Sequence, residues 1–325
     1  RARAARMRIG LYLDLAVGEA LDGSATWSDP ALFATGVRIG APPDLFSVKG
    51  QDWRLAPLSP QGLAGDGFQP YRTLLEAGMR DAGALRIDHA MSLKQLFWIP
   101  EGRVPAEGGF VAYPMQDLVD MAVETSQSAH TIVVGEDLGH VPEGFREEMA
   151  EAGILSYRIL YFERNGARFR APRAWPALAL ACLSTHDLPT LKGWWAGSDI
   201  ALRLGYGLID TQGAARQVRE RKAELKSLLR AFAANGVLRP ASPQHHRTSF
   251  GSLAVAAHRF IARTPSRLAC VRLADAVGEE HPTNLPGVSD GYPNWRRKLA
   301  VDLESLPALP LFTAVTTAVA RERPR

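Results

Sequence analysis

The 325-residue sequence predicts an α/β fold, a (β/α) barrel of parallel strands. Three observations predict it. Short apolar runs alternate with stretches of helical periodicity, the order expected of βα units. The runs are apolar at successive positions, as in strands covered on both faces. Several end abruptly in acidic or polar residues, as in a barrel whose site lies at the C-terminal ends of its strands. A doubly wound sheet is the structural alternative. Neither GxGxxG nor GxxxxGKS/T follows a strand to support it.

Six strand candidates follow in order. "MRIGLYLDLAV" (Met7–Val17) reads as a strand ending near Asp14, and "ALRIDH" (Ala84–His89) as the second. "TIVVGEDLG" (Thr131–Gly139) is the clearest, four β-formers followed by Gly and two acids. "SYRILYFE" (Ser156–Glu163), "ALALACLSTHD" (Ala177–Asp187) and "RLACVRLAD" (Arg267–Asp275) complete the set. Between them, "PYRTLLEAGMRDAG" places Tyr71, Leu74, Leu75 and Met79 on one helix face and closes on Gly83. "VPEGFREEMAEAG" opens on Pro142 and acids and stops at Gly153. The helical stretch at about 212–235 carries a stripe of Val218, Leu225, Leu229 and Phe232, the pattern of a solvated amphipathic helix. The Pro/Gly-rich segment Arg38–Pro70 is too long and irregular for a simple connection and reads as a substrate loop. The whole chain, 1–325, is expected to form one catalytic-barrel portion. The tail "RERPR" is expected to be frayed.

Composition narrows the function classes. Hydrophobic residues make up 46% and charged residues 22%, with a formal net charge of +4. That is ordinary globular composition, and no aromatic-interleaved basic stripe points to a nucleic-acid partner. No apolar stretch approaches the ~20 residues that span a bilayer, so no membrane association is expected. Cys182 and Cys270 lie in apolar runs without a CxxC pattern, as buried free thiols of a reducing compartment do. A cytoplasmic enzyme or binding protein is expected, without a cofactor.

Three strand ends carry carboxylates: Asp88 in "RIDH", Glu136 in "GEDLG" and Asp187 in "THDLPT", spaced by 48 and 51 residues. On neighbouring barrel strands all three would face one pocket. Glycosidic bond cleavage needs two such groups, a nucleophile or base and a proton donor. Proximity pushes one pKa up and keeps the acid protonated near neutrality. Each motif also has a structural reading on its own. Arg86 and Asp88 can form a plain salt bridge, Asp137 can cap a helix, and "THDLPT" can be a capped turn. Asp88, His89, Glu136, His186 and Asp187 include metal-ligand types, yet lack HxH or HExxH spacing. Sugar chemistry further calls for apolar platforms. Trp27, Trp53, Trp98, Trp194 and Trp195 lie near the motifs or in the long loop, and Trp53 is the best placed.

The motifs "GLYLDLAVG", "GAPPDLFSVKGQDW", "GALRIDHAMSLKQLFWIPEG", "VVGEDLGHVP", "YRILYFE", "STHDLPTLKGWW" and "NLPGVSDGYPNWRRKL" together resemble the 4-α-glucanotransferases, the amylomaltases or disproportionating enzymes of glycoside hydrolase family 77. The resemblance runs from about Ile9 to Leu299. It implies a (β/α)8 TIM barrel of the α-amylase superfamily and retaining transfer of α-1,4-glucan segments between maltodextrins. It implies Asp88 as nucleophile, Glu136 as general acid then base, and Asp187 as the group that binds sugar hydroxyls and stabilises the transition state. Arg86 would orient Asp88. His186, Gln51, Trp53 and Asn284 would contact substrate.

The sequence departs from the family pattern in two ways. An N-terminal extension and two barrel strands precede "GLYLDLAVG" in the family, so an incomplete barrel is expected here, a fragment or one piece of a larger assembly. Arg54 follows "GQDW" where the family usually has Gly. The competing readings are a truncated, non-catalytic remnant or glucan-binding module, and a hydrolase using the same carboxylates.

Overall fold

The computed structural model describes residues 7–43, 49–238, 248–288 and 290–324. The chain divides into two compact units, Arg1–Tyr157 and Arg158–Arg325.

Parallel strands form the frame of the first unit: β1 (Tyr12–Leu15), β2 (Ala84–Ile87), β3 (Ile132–Gly135) and the start of β4 (Leu155–Ile159). Tyr12 pairs with Ala84 and Leu15 with Ile87. Ala84 pairs in turn with Ile132 and Ile87 with Gly135, while Gly135 lies opposite Ser156. β2 is buried along its whole length. β1 is not: Leu11, Tyr12 and Leu13 are exposed, and among the described residues β1 pairs only with β2. The predicted run Met7–Val17 supplies only four strand residues, and the strand ends at Leu15, next to Asp14 as expected.

Two predicted helices and one that the sequence reading did not name cover the sheet. α1 (Gln69–Met79) buries Tyr71, Leu75 and Met79, but not Leu74. α2 (Met115–Ala129) buries Leu118 and Ala122. α3 (Phe145–Glu151) buries Phe145 and Met149, and the chain leaves it through Gly153 at φ 74. These side chains pack with Leu85, Ile87 and Val133 into one apolar cluster.

The segment Arg38–Pro70 is more regular than its composition suggests. Val37–Ala41 pairs antiparallel with Gln51–Asp52 and with Gln95–Pro100, which pairs with Gly109–Ala112. Pro60–Gly65 is helical behind a Ser59 cap. Short strands and an obligatory glycine hid the sheet in the sequence. A Cβ at Gly40 would lie 2.1 Å from the Gln51 carbonyl oxygen, so the two strands approach this closely only with Gly there. Part of the quoted loop, residues 44–48, lies outside the described residues.

In the second unit β5 (Ala179–Cys182) is fully buried and pairs in parallel with β6 (Leu268–Ala269). The sixth predicted strand is thus only two residues long. Leu273–Val277 is helical instead, with Asp275 buried in it. Cys182 is buried and Cys270 half-buried; both are free thiols. The hydrogen bond from Cys182 lowers the pKa of Cys270.

The long helix α4 (Thr211–Ala234) starts on an Asp210 cap and buries Leu228 and Phe232. Val218, placed on the predicted stripe, is exposed. The Phe232 ring meets Phe260 of α5 (Phe250–Ala262) at 5.1 Å. The expected frayed tail is anchored: Pro310–Glu322 is helical, and Glu322 pairs with both Arg259 and Arg263. Among the described residues no helix is long and apolar enough to cross a membrane.

Gly83 opens β2 against the backbone ahead of β1. An added Cβ would fall 1.4 Å from the Ile9 carbonyl oxygen, and Gly83 N donates to Leu11 O at 2.9 Å. Gly83→Ala is expected to lower stability by at least about 2 kcal/mol, because backbone rather than a movable side chain fills the space. Urea denaturation of the two proteins checks this.

Candidate active site

Asp88 and Glu136 stand one residue beyond the paired Ile87 and Gly135, at the ends of adjacent parallel strands. Backbone bonds fix both ends: Asp88 N donates to Leu15 O (2.9 Å), Glu136 N to Ile87 O (3.0 Å) and Ala90 N to Glu136 O (2.9 Å).

Arg86 sits two residues before Asp88, hence on the same face of β2. It is 6% exposed. One terminal nitrogen, Nη1, lies 2.7 Å from both carboxylate oxygens of Asp14, its register partner on β1. The other, Nη2, reaches Asp88 Oδ1 at 2.6 Å. The guanidinium lies 5.6 Å from the Tyr157 ring centroid. Burial alone would lower the Arg86 pKa; the charges of Asp88 and Asp14 outweigh it and hold the cation more firmly than usual.

Glu136 behaves differently. It is buried, and desolvation pushes its pKa up to about 7. Arg86 opposes that rise and the charge of Asp88 adds to it. Two backbone N–H groups also favour the ionised form, Leu138 N to Oε1 (3.0 Å) and His89 N to Oε2 (2.9 Å). Burial prevails. The neighbouring Asp137 does not cap a helix. Its carboxylate accepts from Arg146 Nε (2.7 Å), Ser156 Oγ (2.5 Å) and Tyr157 N (2.9 Å), which fastens the start of β4.

His89 follows Asp88 in the left-handed region (φ 44), and burial lowers its pKa to about 4. Its ring meets Trp53 edge-on at 5.1 Å. Trp53 Nε1 donates to Gln51 Oε1 (3.1 Å) and its backbone N to Ile39 O (3.0 Å), so Gln51 and Trp53 are presented together from the antiparallel sheet. Arg54 adopts φ 57, a left-handed backbone that favours Gly. Of the other tryptophans considered, Trp194 is core, stacked on Tyr161 at 4.9 Å with Arg221 over it.

In the second unit, Asp187 accepts from Asn284 Nδ2 at Oδ1 (2.7 Å), and His186 Nε2 lies 3.0 Å from Oδ2. The His186 ring faces Trp295 at 5.0 Å. The "THDLPT" turn does cap a helix, through Thr190 Oγ1 accepting from Gly193 N, and also carries Asp187. Buried Asp275 supports this turn from behind, accepting from Ser184 Oγ (2.8 Å) and Leu191 N (2.6 Å). Among the described residues no group of three or more His, Cys, Asp or Glu side chains is arranged to hold a metal ion.

Sequence reasoning passed over Asp14, Asp275 and Trp295. Asp14 and Asp275 did carry a signal, a lone acid inside an apolar run, which demands a buried partner.

A family profile described as 4-alpha-glucanotransferase matches residues 1–303. The chain belongs to the 4-alpha-glucanotransferase family, glycoside hydrolase family 77. It is 35% identical over 303 residues to the 4-alpha-glucanotransferase of Haemophilus influenzae, covering 91% of this chain and 43% of that protein. The Mycobacterium bovis 4-alpha-glucanotransferase is 36% identical over 302 residues, covering 91% and 41%. The chain therefore spans less than half the length of these curated relatives. The crystal structure of amylomaltase from Corynebacterium glutamicum superposes with a TM-score of 0.90 at 34% identity, covering 98% of this chain and 47% of that one. The amylomaltase from Streptococcus agalactiae, solved in complex with acarbose, gives 0.72 at 18% identity and shares the fold. The fold class is thus that of an incomplete α/β barrel of the amylomaltase type.

Two predictions follow from this geometry. Glu136 has a folded-state pKa above its unfolded value, so its ionisation costs the native state stability as pH rises. Between about pH 4.5 and about pH 7 the wild type is expected to lose about 3 kcal/mol relative to Glu136→Gln. Denaturation of both proteins across that range measures the difference. Arg54→Gly removes left-handed strain from a bulky residue and is expected to raise the melting temperature by about 3 °C in calorimetry.

Proposed function

We propose that this chain carries 4-α-glucanotransferase activity and transfers α-1,4-glucan segments between maltodextrins by a retaining double displacement. The observation that carries the reading is the contrast between two acids at adjacent strand ends. Asp88 is bound to the buried Arg86 cation, whereas Glu136 is desolvated and poised at about 7.

Asp88, ionised, attacks the anomeric carbon of the donor. Glu136 gives its proton to the glycosidic oxygen as that bond breaks, leaving a glycosyl ester on Asp88. The ionised Glu136 then takes the proton of an incoming sugar hydroxyl, whose oxygen displaces Asp88 and restores the original anomeric configuration. Arg86 keeps Asp88 ionised and oriented. Gln51 and Trp53 border the acceptor side, and their segment excludes water so that sugar rather than water intercepts the ester. In the second unit Asp187, His186 and Asn284 bind sugar hydroxyls. The reaction needs no cofactor, and we assign it to the cytoplasm, with no nucleic-acid or membrane partner. The 4-alpha-glucanotransferases of Haemophilus influenzae and Mycobacterium bovis, matched across nine-tenths of this chain, support the assignment.

Incubation with maltotriose tests it. Glucose and longer dextrins should appear together while the number of reducing ends stays constant. Glu136→Gln and Asp88→Asn should each lower the rate at least about 1,000-fold. Net growth of reducing ends would indicate hydrolysis instead, and no redistribution at all would overturn the proposal.

A further inference from the structure

We infer that Trp295 is a stacking platform for a glucosyl unit held at Asp187. This rests on the glucan reading above and extends it to a residue which the carboxylate motifs do not identify.

Trp295 is 63% exposed, so its indole fills no core. Its backbone nevertheless occupies the left-handed region (φ 60), which bulky residues avoid. The conformation is held by braces. Trp295 N donates to Thr283 O at 3.1 Å. The Asn294 side chain accepts from Leu285 N (2.8 Å) and donates to Val288 O (2.5 Å). The backbone that presents Asn284 and the backbone that presents Trp295 are therefore tied into one piece.

That piece sets unlike chemistry side by side. Asn284 binds one oxygen of Asp187 and His186 the other, while the indole lies 5.0 Å from the His186 ring, inclined at 51°. Asp187 and His186 keep side-chain exposures of 41% and 31%. A partly open cluster of hydrogen-bonding groups beside an exposed aromatic face suits a pyranose. The ring's hydroxyls lie at its rim and its C–H bonds give it an apolar face. A backbone locked in an unfavourable conformation to present an exposed ring marks a site that is preorganised for a ligand.

Calorimetry with maltoheptaose on the full chain tests the inference, comparing wild type, Trp295→Ala and Trp295→Phe. Trp295→Ala should weaken binding about tenfold, and Trp295→Phe by less, because a smaller ring survives. The exposed position predicts unchanged melting temperatures. As a second readout, the fluorescence change of the wild type on adding maltoheptaose should shrink in Trp295→Phe. Wild-type binding with Trp295→Ala equal to it within about twofold would overturn the platform while leaving the glucan reading intact. Absence of binding by the folded wild type would overturn that reading, and the platform with it.

Discussion

Arg86 is a buried cation shared by two carboxylates, and the first unit is arranged around it. A guanidinium 6% exposed needs ionised partners, because an unpaired buried charge costs several kcal/mol. Asp14 meets it from β1 and Asp88 from the end of β2. The ion-pair geometry thereby depends on strand register: a slip of one residue between β1 and β2 would turn Asp14 away from its partner. Glu136, one strand further on, feels the same cation and still titrates near 7. Asp88 touches the guanidinium directly, whereas at Glu136 burial outweighs the pull of the same cation.

In each unit a buried carboxylate steadies the chain beyond the strand that leads to a candidate site residue. Asp137 takes a serine hydroxyl, a backbone N–H and Arg146; Asp275 takes a serine hydroxyl and a backbone N–H. The repeated choice has a common cause. A turn that leaves a strand presents N–H groups with no ladder partner, and a buried carboxylate accepts several of them at once. Five non-glycine residues lie at positive φ among the described residues: Arg54, Phe68, His89 and His130 in the first unit and Trp295 in the second.

The sequence made the parallel strands readable wherever apolar runs were continuous and bounded, as at Ala84–Ile87 and Ile132–Gly135. It failed where pairing, not pattern, makes the strand. Val37–Ala41 is interrupted by an arginine and a glycine and owes its regularity to two neighbours. Arg267–Asp275 looked like a strand because its apolar residues suit either state, yet strand pairing ends at Ala269 and the chain is helical from Leu273. Asp88 and Glu136 were legible as acids one residue past their strands, and Asp187 as the acid of the turn that follows Ala179–Cys182, because each pattern is local in sequence. Asp14 and Asp275 were marked only as lone acids in apolar runs, and Trp295 not at all, since their meaning comes from partners 72, 91 and 109 residues away.

The midpoint of Glu136 has a kinetic meaning for the proposed cycle. A group that must be an acid in one half-reaction and a base in the next is in the wrong form for one of them whenever its pKa lies far from the ambient pH. At about 7, protonated and ionised molecules coexist in comparable numbers near neutrality. Neither half-reaction then waits long for a rare species, and donor and acceptor steps can run at similar speeds. In the proposed transfer, whose products are also its substrates, burial of one side chain thus balances forward and return traffic.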